Sequence, residues 1–336
     1  MKNKNLQKLI VILGPTASGK TDLAIKLAKK LAPYRTCSGT GFNGVEIVSA
    51  DSRQVYKGMD IGTAKVTKKE MQGIPHHLLD VASPKRKFTI TQYRKLALKA
   101  IEKIQKKNKI PILCGGTGFY IQAVVDGLVI PEVPPNWKLR KKLEKKSVGE
   151  LYEILKKLDP RRAKTIERKN PRRLIRAIEI CLKIGKVPPL KFKPLTYPVL
   201  MIGVKRKMKE LKKRIKKRFF DWLKRGLILE VINLKKLGLS WKRIEDFGIH
   251  YQIITQYLQN KIGDKEMIEN SIREIQNYAK RQITWFKRDK RIHWVNPPKF
   301  CGPKLRRVKN YKKAPKKSLR DLTGQAEKLI KEFLIK

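Results

Sequence analysis

The chain has 336 residues, 81 of them Lys or Arg against 28 Asp or Glu, for a formal charge of +53, and 41% are hydrophobic. That apolar share suits a folded protein with a sizeable core and excludes a disordered one. No apolar run approaches the ~20 residues a membrane helix needs, so no membrane partner is expected. The charge points to a polyanion, nucleic acid first, because self-repulsion on this scale destabilises a protein that has no counter-charge bound. The opening MKNKNLQKLIVIL puts basic residues before an apolar stretch, as a secretory signal does. That stretch runs straight into GPTASGKT, however, with no small-residue cleavage site between them. The four cysteines, Cys37, Cys114, Cys181 and Cys301, are too dispersed for a zinc ribbon and too few for a disulfide scaffold. Reduced thiols in a cytoplasmic protein are expected.

Residues 8–13 form a short run rich in Ile, Val and Leu, the pattern of a strand buried on both faces. A Gly-rich segment follows, and residues 21–32 then carry Leu23, Leu27 and Leu31 at helical spacing. Residues 33–44 are rich in Gly, Ser and Thr and read as a surface loop. A second strand over 45–49 ends at Ala50-Asp51. A helix over 91–107 precedes a third strand, 110–114, which ends at Gly115-Gly116-Thr117. This alternation predicts an α/β fold, a P-loop NTPase-like parallel sheet flanked by helices. At Pro131-Glu132-Val133-Pro134-Pro135 the composition changes to charged helical patterns, 138–146, 148–158 and 171–184, with no convincing strand. They predict a small helical insertion domain. A fourth strand, 199–204, returns to the sheet, long basic helices follow at 207–237 and 266–287, and 291–295 is a last strand. The expected division is 1–130 for the first part of the core, 131–195 for the insertion, 196–298 for the core continuation with basic RNA-binding helices, and 299–336 for a basic extension. The extension carries one amphipathic helix, 318–335, and reads as a solvated addition or a further RNA contact. A monomer is expected, since no apolar surface helix stands out.

Gly14-Pro15-Thr16-Ala17-Ser18-Gly19-Lys20-Thr21 matches G-x-x-x-x-G-K-[ST]. Glycines let backbone N–H groups converge on phosphate oxygens, and the helix N-terminus adds its dipole. Lys20 brings a positive charge to the outer phosphate, and the Thr21 hydroxyl is a Mg²⁺ ligand in such loops. The strand before the loop and the helix after it are the required context. An ATPase or GTPase normally adds a strand-end carboxylate for Mg²⁺. The 110–114 strand ends in Gly-Gly-Thr instead, and the strand-end acid of this half is Asp51. Three roles are open to it: metal ligand, general base, or cap of a helix with no chemical part. His76-His77 has no Cys or acid at ligand spacing and makes a weak metal candidate. Trp285-Phe286, amid basic residues, suits either base stacking or core packing.

GPTASGKT, DSRQVYKGMDIGTAK, GIPHHLLD and CGGTGFYIQAV, followed by NPRRLIRAIEI and YAKRQITWFKRD, resemble the successive motifs of the tRNA dimethylallyltransferases, over roughly residues 8–295. The resemblance implies transfer of a dimethylallyl group from dimethylallyl diphosphate to N6 of adenosine 37 in tRNA. The P-loop (Gly14, Pro15, Thr16, Ala17, Ser18, Gly19, Lys20, Thr21) and Arg218 would hold the diphosphate with Mg²⁺. Asp51 would accept the amine proton, and Thr117 would stand near the bridging oxygen of the leaving group. Ser52, Arg53 and Gln54 would seat the flipped base. Arg172, Arg173, Leu174, Ile175 and Arg176, with Lys280, Arg281, Gln282 and Trp285, would grip the anticodon stem-loop. The chain departs from the family pattern in a longer 33–44 loop, in Val66 where proline is common, and in His250 where glycine is. A P-loop kinase and a non-catalytic RNA-binding protein are the rival readings. The absent acid after Leu113 counts against the first, and intact Lys20, Thr21 and Asp51 against the second.

Overall fold

Five apolar residues with no polar alternation make a strand only if both its faces are covered, and Leu9–Leu13 (β1) is fully buried along its length. The computed structural model describes residues 7–31, 34–35, 41–296 and 317–335. In chain order β1 is followed by α1 (Lys20–Lys30), β2 (Tyr34–Arg35), β3 (Gly41–Phe42), β4 (Val45–Ser49), α2 (Lys68–Met71) and β5 (His76–His77). Next come α3 (Ile90–Lys106), β6 (Ile110–Gly115), α4 (Gly118–Val125) and β7 (Leu128–Val129). Four helices lead from there to β8 (Lys191–Phe192): α5 (Trp137–Leu143), α6 (Val148–Leu158), α7 (Pro160–Thr165) and α8 (Pro171–Ile184). The chain continues through β9 (Val199–Val204), α9 (Met208–Lys224), α10 (Leu227–Lys236), α11 (Trp241–Glu245) and α12 (Ile249–Leu258). It ends with α13 (Asp264–Phe286), β10 (Ile292–Val295) and α14 (Lys317–Ile335).

Residues 126–194 form one compact unit, and the other described residues form the second. In the larger unit the sheet runs β10-β9-β1-β6-β4-β5 with every neighbour parallel. Its register aligns Leu13 with Gly115 and with Gly203, and Ser49 with Cys114. The chain therefore leaves β1, β4 and β6 on one edge, the carboxyl end where parallel sheets bind ligands. Leu9, Val11 and Leu13 face a core shared with α3, α4 and α9–α13. Ile10 and Ile12 face the other way, onto Leu23 and Leu27 of α1 and onto Leu322, Ala326, Ile330 and Leu334 of α14.

The last point corrects the expectation for the C-terminal helix. Its apolar stripe, at i, i+4, i+8 and i+12, closes the α1 face of the sheet instead of lying in solvent. The Lys8 amine donates to the Phe333 and Leu334 carbonyls at 3.0 and 2.9 Å, where the last turn lacks intrahelical partners. Residues 299–316, most of the 33–44 loop, and Cys37 and Cys301 lie outside the described residues. Cys114 and Cys181 are free and buried.

Two other expectations are revised. The 207–237 helix is two helices, because Gly226 adopts φ 91° and ends α9 before α10 begins. The insertion holds a strand pair, β7 with β8, too short at two residues each to show in a period-2 pattern. Its helices close on their own core of Leu143, Leu151, Leu155, Leu174 and Ile178. No helix among the described residues is long and apolar enough to cross a membrane.

Candidate active site

The turn after β1 is tight: the Ser18 N–H donates to the Pro15 carbonyl at 3.2 Å, and Gly19 enters α1 at φ 93°. No side chain caps α1, so the N–H groups of its first turn remain for a ligand. The outer side of the loop is held by arginines. Arg206 Nε donates to the Ser18 carbonyl at 2.6 Å, Arg214 Nε to the Ala17 carbonyl at 2.7 Å, and Arg218 to the Thr16 hydroxyl. Each guanidinium fixes a loop oxygen and adds positive charge beside the amides. Burial lowers the Lys20 pKa, while Asp51 and Asp22 pull it back up. Burial likewise brings Arg218 down to about 10, with Arg214 adding to the effect, and it stays charged at neutral pH.

Asp51 stands where β4 ends, half-buried. Its Oδ1 accepts from the backbone N–H groups of Arg53 (2.8 Å) and Gln54 (3.3 Å), so one oxygen caps the following turn. Its Oδ2 has no hydrogen-bond partner among the described residues. Thr117, two residues past the end of β6, accepts from the Ser52 N–H at 3.0 Å and donates its own N–H to the Ala50 carbonyl at 3.1 Å. The two strand-end loops are thereby stitched together. Gly115 makes this approach possible: a Cβ there would lie 2.1 Å from the Ala50 carbonyl oxygen. Tyr278 of α13 reaches the same place, and burial followed by Asp51 pushes its phenol up to about 12.

Two cavities open on this edge. One, of about 410 Å³, is lined by Lys20, Thr21, Asp22, Arg214, Lys217 and Arg218, among others. The other, of about 100 Å³, has Asp51, Ser52 and Arg53 on its polar side and Trp222, Phe247 and Tyr278 on its aromatic side. Arg218 and Ala64 line both. For a hard cation the first cavity offers the Thr21 hydroxyl with the carboxylates of Asp22, Glu70 and Asp221. No three His, Cys, Asp or Glu converge on a metal position among the described residues. A Mg²⁺ would therefore lean on phosphate oxygens for most of its shell, as that ion commonly does.

The residues expected to contact RNA divide. Lys280, Arg281 and Trp285 are exposed on α13. Gln282 is buried on the opposite stripe: it accepts from the Thr16 N–H at 2.7 Å and donates to the Gly116 carbonyl at 2.7 Å. It holds the P-loop to the β6 loop and has no free face for RNA. Gln54 is similarly engaged, with Ser49 and with the Thr63 and Ala64 carbonyls. In the smaller unit Arg172 and Arg173 are exposed, while Leu174 and Ile175 lie in the core and cannot meet RNA through their side chains. Arg176 bonds Val133 and Glu179. His76 and His77 form the edge strand, His77 paired with Glu46 at 2.7 Å. Phe286 is core.

Sequence reasoning missed Glu230, an isolated acid in the apolar run of α10. Buried, it accepts from the N–H groups of Asp60 (2.7 Å), Ile61 (2.6 Å) and Gly62 (3.1 Å) and from the Tyr251 hydroxyl (2.7 Å). It thus fixes the loop whose Gly62, Thr63 and Ala64 line the smaller cavity. Glu230→Ala would leave four donors unpaired. We expect a loss on the order of 3 kcal/mol in urea unfolding, together with a raised KM for any ligand of that cavity. Unfolding at the wild-type midpoint would show that the loop is held by other contacts.

Comparison with known proteins shows the family. The family model described as IPP transferase matches residues 54–289. The tRNA dimethylallyltransferase of Acetivibrio thermocellus is 38% identical over 304 residues, covering 88% of this chain and 93% of its own. That of Halothermothrix orenii is 41% identical over 307 residues, covering 88% and 90%. A crystal structure of the Bacillus halodurans tRNA isopentenylpyrophosphate transferase superposes with a TM-score of 0.66 at 32% identity, over 97% of each chain. A eukaryotic dimethylallyltransferase acting on tRNA gives 0.68 at 27% identity, over 86% of this chain and 74% of its own. With a phosphate loop, a strand-end acid and one family model spanning more than half its length, this chain belongs to the IPP transferase family.

Proposed function

We propose that the protein transfers the dimethylallyl group of dimethylallyl diphosphate to N6 of adenosine 37 in tRNA, releasing diphosphate. The observation that carries this reading is the pair of cavities sharing Arg218 and Ala64, one cationic and built on the P-loop, the other lined by Asp51, Ser52 and Arg53. A donor whose diphosphate lies in the first presents its allylic carbon to the second.

An allylic diphosphate ionises readily because its cation is resonance-stabilised. The site has two tasks, to neutralise the departing diphosphate and to aim the nucleophile. Lys20, the first-turn N–H groups of α1 and Arg218 face the leaving group. Bound Mg²⁺, held by Thr21, would supply further charge neutralisation there. As the C1–O bond breaks, the exocyclic amine forms the N6–C1 bond and its proton passes to Asp51 Oδ2. Oδ1 stays on the backbone of Arg53 and Gln54, so the carboxylate keeps its aim. Thr117, fixed by Ser52, lies on the same loop pair, and Arg53 lines the base-side cavity. Flipping the base into this cavity costs a few kcal/mol, least for an unpaired loop base. Lys280, Arg281 and Trp285, with Arg172 and Arg173, are the exposed groups for the anticodon stem-loop. The protein acts as a monomer in this account, since one chain lines both cavities.

A thermal-shift comparison tests the donor. At 100-fold above Kd, dimethylallyl diphosphate should add about 2.7 kcal/mol of stability, and ATP much less. Stabilisation by ATP alone would favour a kinase.

A further inference from the structure

His250 is the second residue of α12, 4% exposed, and it lines the smaller cavity. Its ring lies between Trp222, at 5.1 Å between centroids, and Tyr251, at 4.7 Å. The Gly62 backbone packs so closely that a Cβ there would stand 2.6 Å from Nε2. That backbone is nevertheless outside hydrogen-bond geometry, and both ring nitrogens are buried with no partner among the described residues. Burial drives the pKa down to about 3, with Arg218 pushing the same way and Gly62 opposing. The ring is therefore neutral, with one donor and one acceptor nitrogen. An unpaired buried imidazole costs free energy that Phe or Leu in the same space would not, unless a ligand completes it.

Its neighbours indicate which ligand. Arg218 lies over the Trp222 ring, 4.8 Å from its centroid, and the His250 ring packs against the same Trp222. His250 thus lies next to Trp222, on the Arg218 side of the cavity. On the donor reading proposed above, on which this inference rests, the tail of the allylic diphosphate leaves Arg218 along Trp222 toward His250. A dimethylallyl tail has nothing to offer the ring. A hydroxyl both donates and accepts, as the neutral ring does.

We propose that His250 is a hydrogen-bonding subsite for a hydroxyl on the terminal carbon of a five-carbon allylic diphosphate, so that the hydroxylated donor is used at least as well as the plain one. The reaction is otherwise unchanged. The C1–O bond breaks, N6–C1 forms, the amine proton goes to Asp51, diphosphate leaves, and the tail hydroxyl is retained in the product.

The test compares kcat/KM for 4-hydroxy-3-methylbut-2-enyl diphosphate and dimethylallyl diphosphate, using the full chain and tRNA, with products identified by nucleoside mass spectrometry. The wild-type ratio of hydroxylated to plain donor should be one or more. In His250→Phe it should fall by about tenfold or more, since phenylalanine fills the space without either hydrogen bond. A packing defect would slow both donors alike and leave the ratio unmoved. A wild-type ratio below one, or an unchanged ratio in folded His250→Phe, overturns the subsite. If the variant does not fold, the wild-type ratio decides alone. Transfer of neither donor overturns the prenyl-donor reading and the subsite with it, an outcome distinct from transfer of both without discrimination.

Discussion

Asp51→Asn should lower single-turnover transfer by ~10²-fold or more with the fold intact. The structure separates the two jobs of this side chain by atom. Oδ1 caps the turn through the Arg53 and Gln54 N–H groups, and an asparagine oxygen in its place keeps both bonds. Oδ2 is the unpartnered atom, and asparagine replaces it with an amide nitrogen that cannot take a proton. Capping and catalysis therefore predict opposite results from one variant. Saturating donor and RNA in a single turnover isolates the chemical step from binding and product release. A normal rate would leave Asp51 as a cap alone.

Lys20→Ala should reduce transfer by roughly 10²–10³-fold, the scale for removing one preorganised group that meets developing charge. The loop itself should survive, because arginines and Gln282 hold it from outside: Arg206 on Ser18, Arg214 on Ala17, Arg218 and Gln282 on Thr16. RNA affinity should be unchanged, since Lys20 lies in the 410 Å³ cavity and not among the exposed cations of α13. Paired measurements of single-turnover rate and filter-binding affinity check both halves. Equal loss of rate and RNA affinity would mean the substitution disturbs the fold rather than the leaving group.

Elements built from local pattern were legible in the sequence. Strands β1, β6 and β9 are largely apolar runs, β4 is one interrupted by Glu46, and the P-loop is a fixed spacing, so they appear at their expected places. Asp51 was legible because strand ends in a parallel sheet face one edge, whereas Thr117 was singled out only through the family resemblance. What escaped depends on which way a side chain turns once the chain is folded. Gln282 and Arg281 are neighbours in one basic motif, yet the helix sends the first into the P-loop and the second to solvent. Leu174 and Ile175 share a motif with Arg172 and Arg173 but lie on the covered face of α8. Glu230 meets the 60–62 backbone from 168 to 170 residues away, a pairing no local pattern encodes. The α14 stripe was visible as amphipathic, but only the structure shows that it covers the α1 face of the sheet.

Mass spectrometry of nucleosides from tRNA incubated with the pure protein and dimethylallyl diphosphate tests the central claim most directly. The account predicts N6-dimethylallyl adenosine, confined to position 37 and formed ~10²-fold or more slowly by the Asp51→Asn protein in a single turnover. Unmodified tRNA from a folded, diphosphate-binding wild-type protein would contradict it.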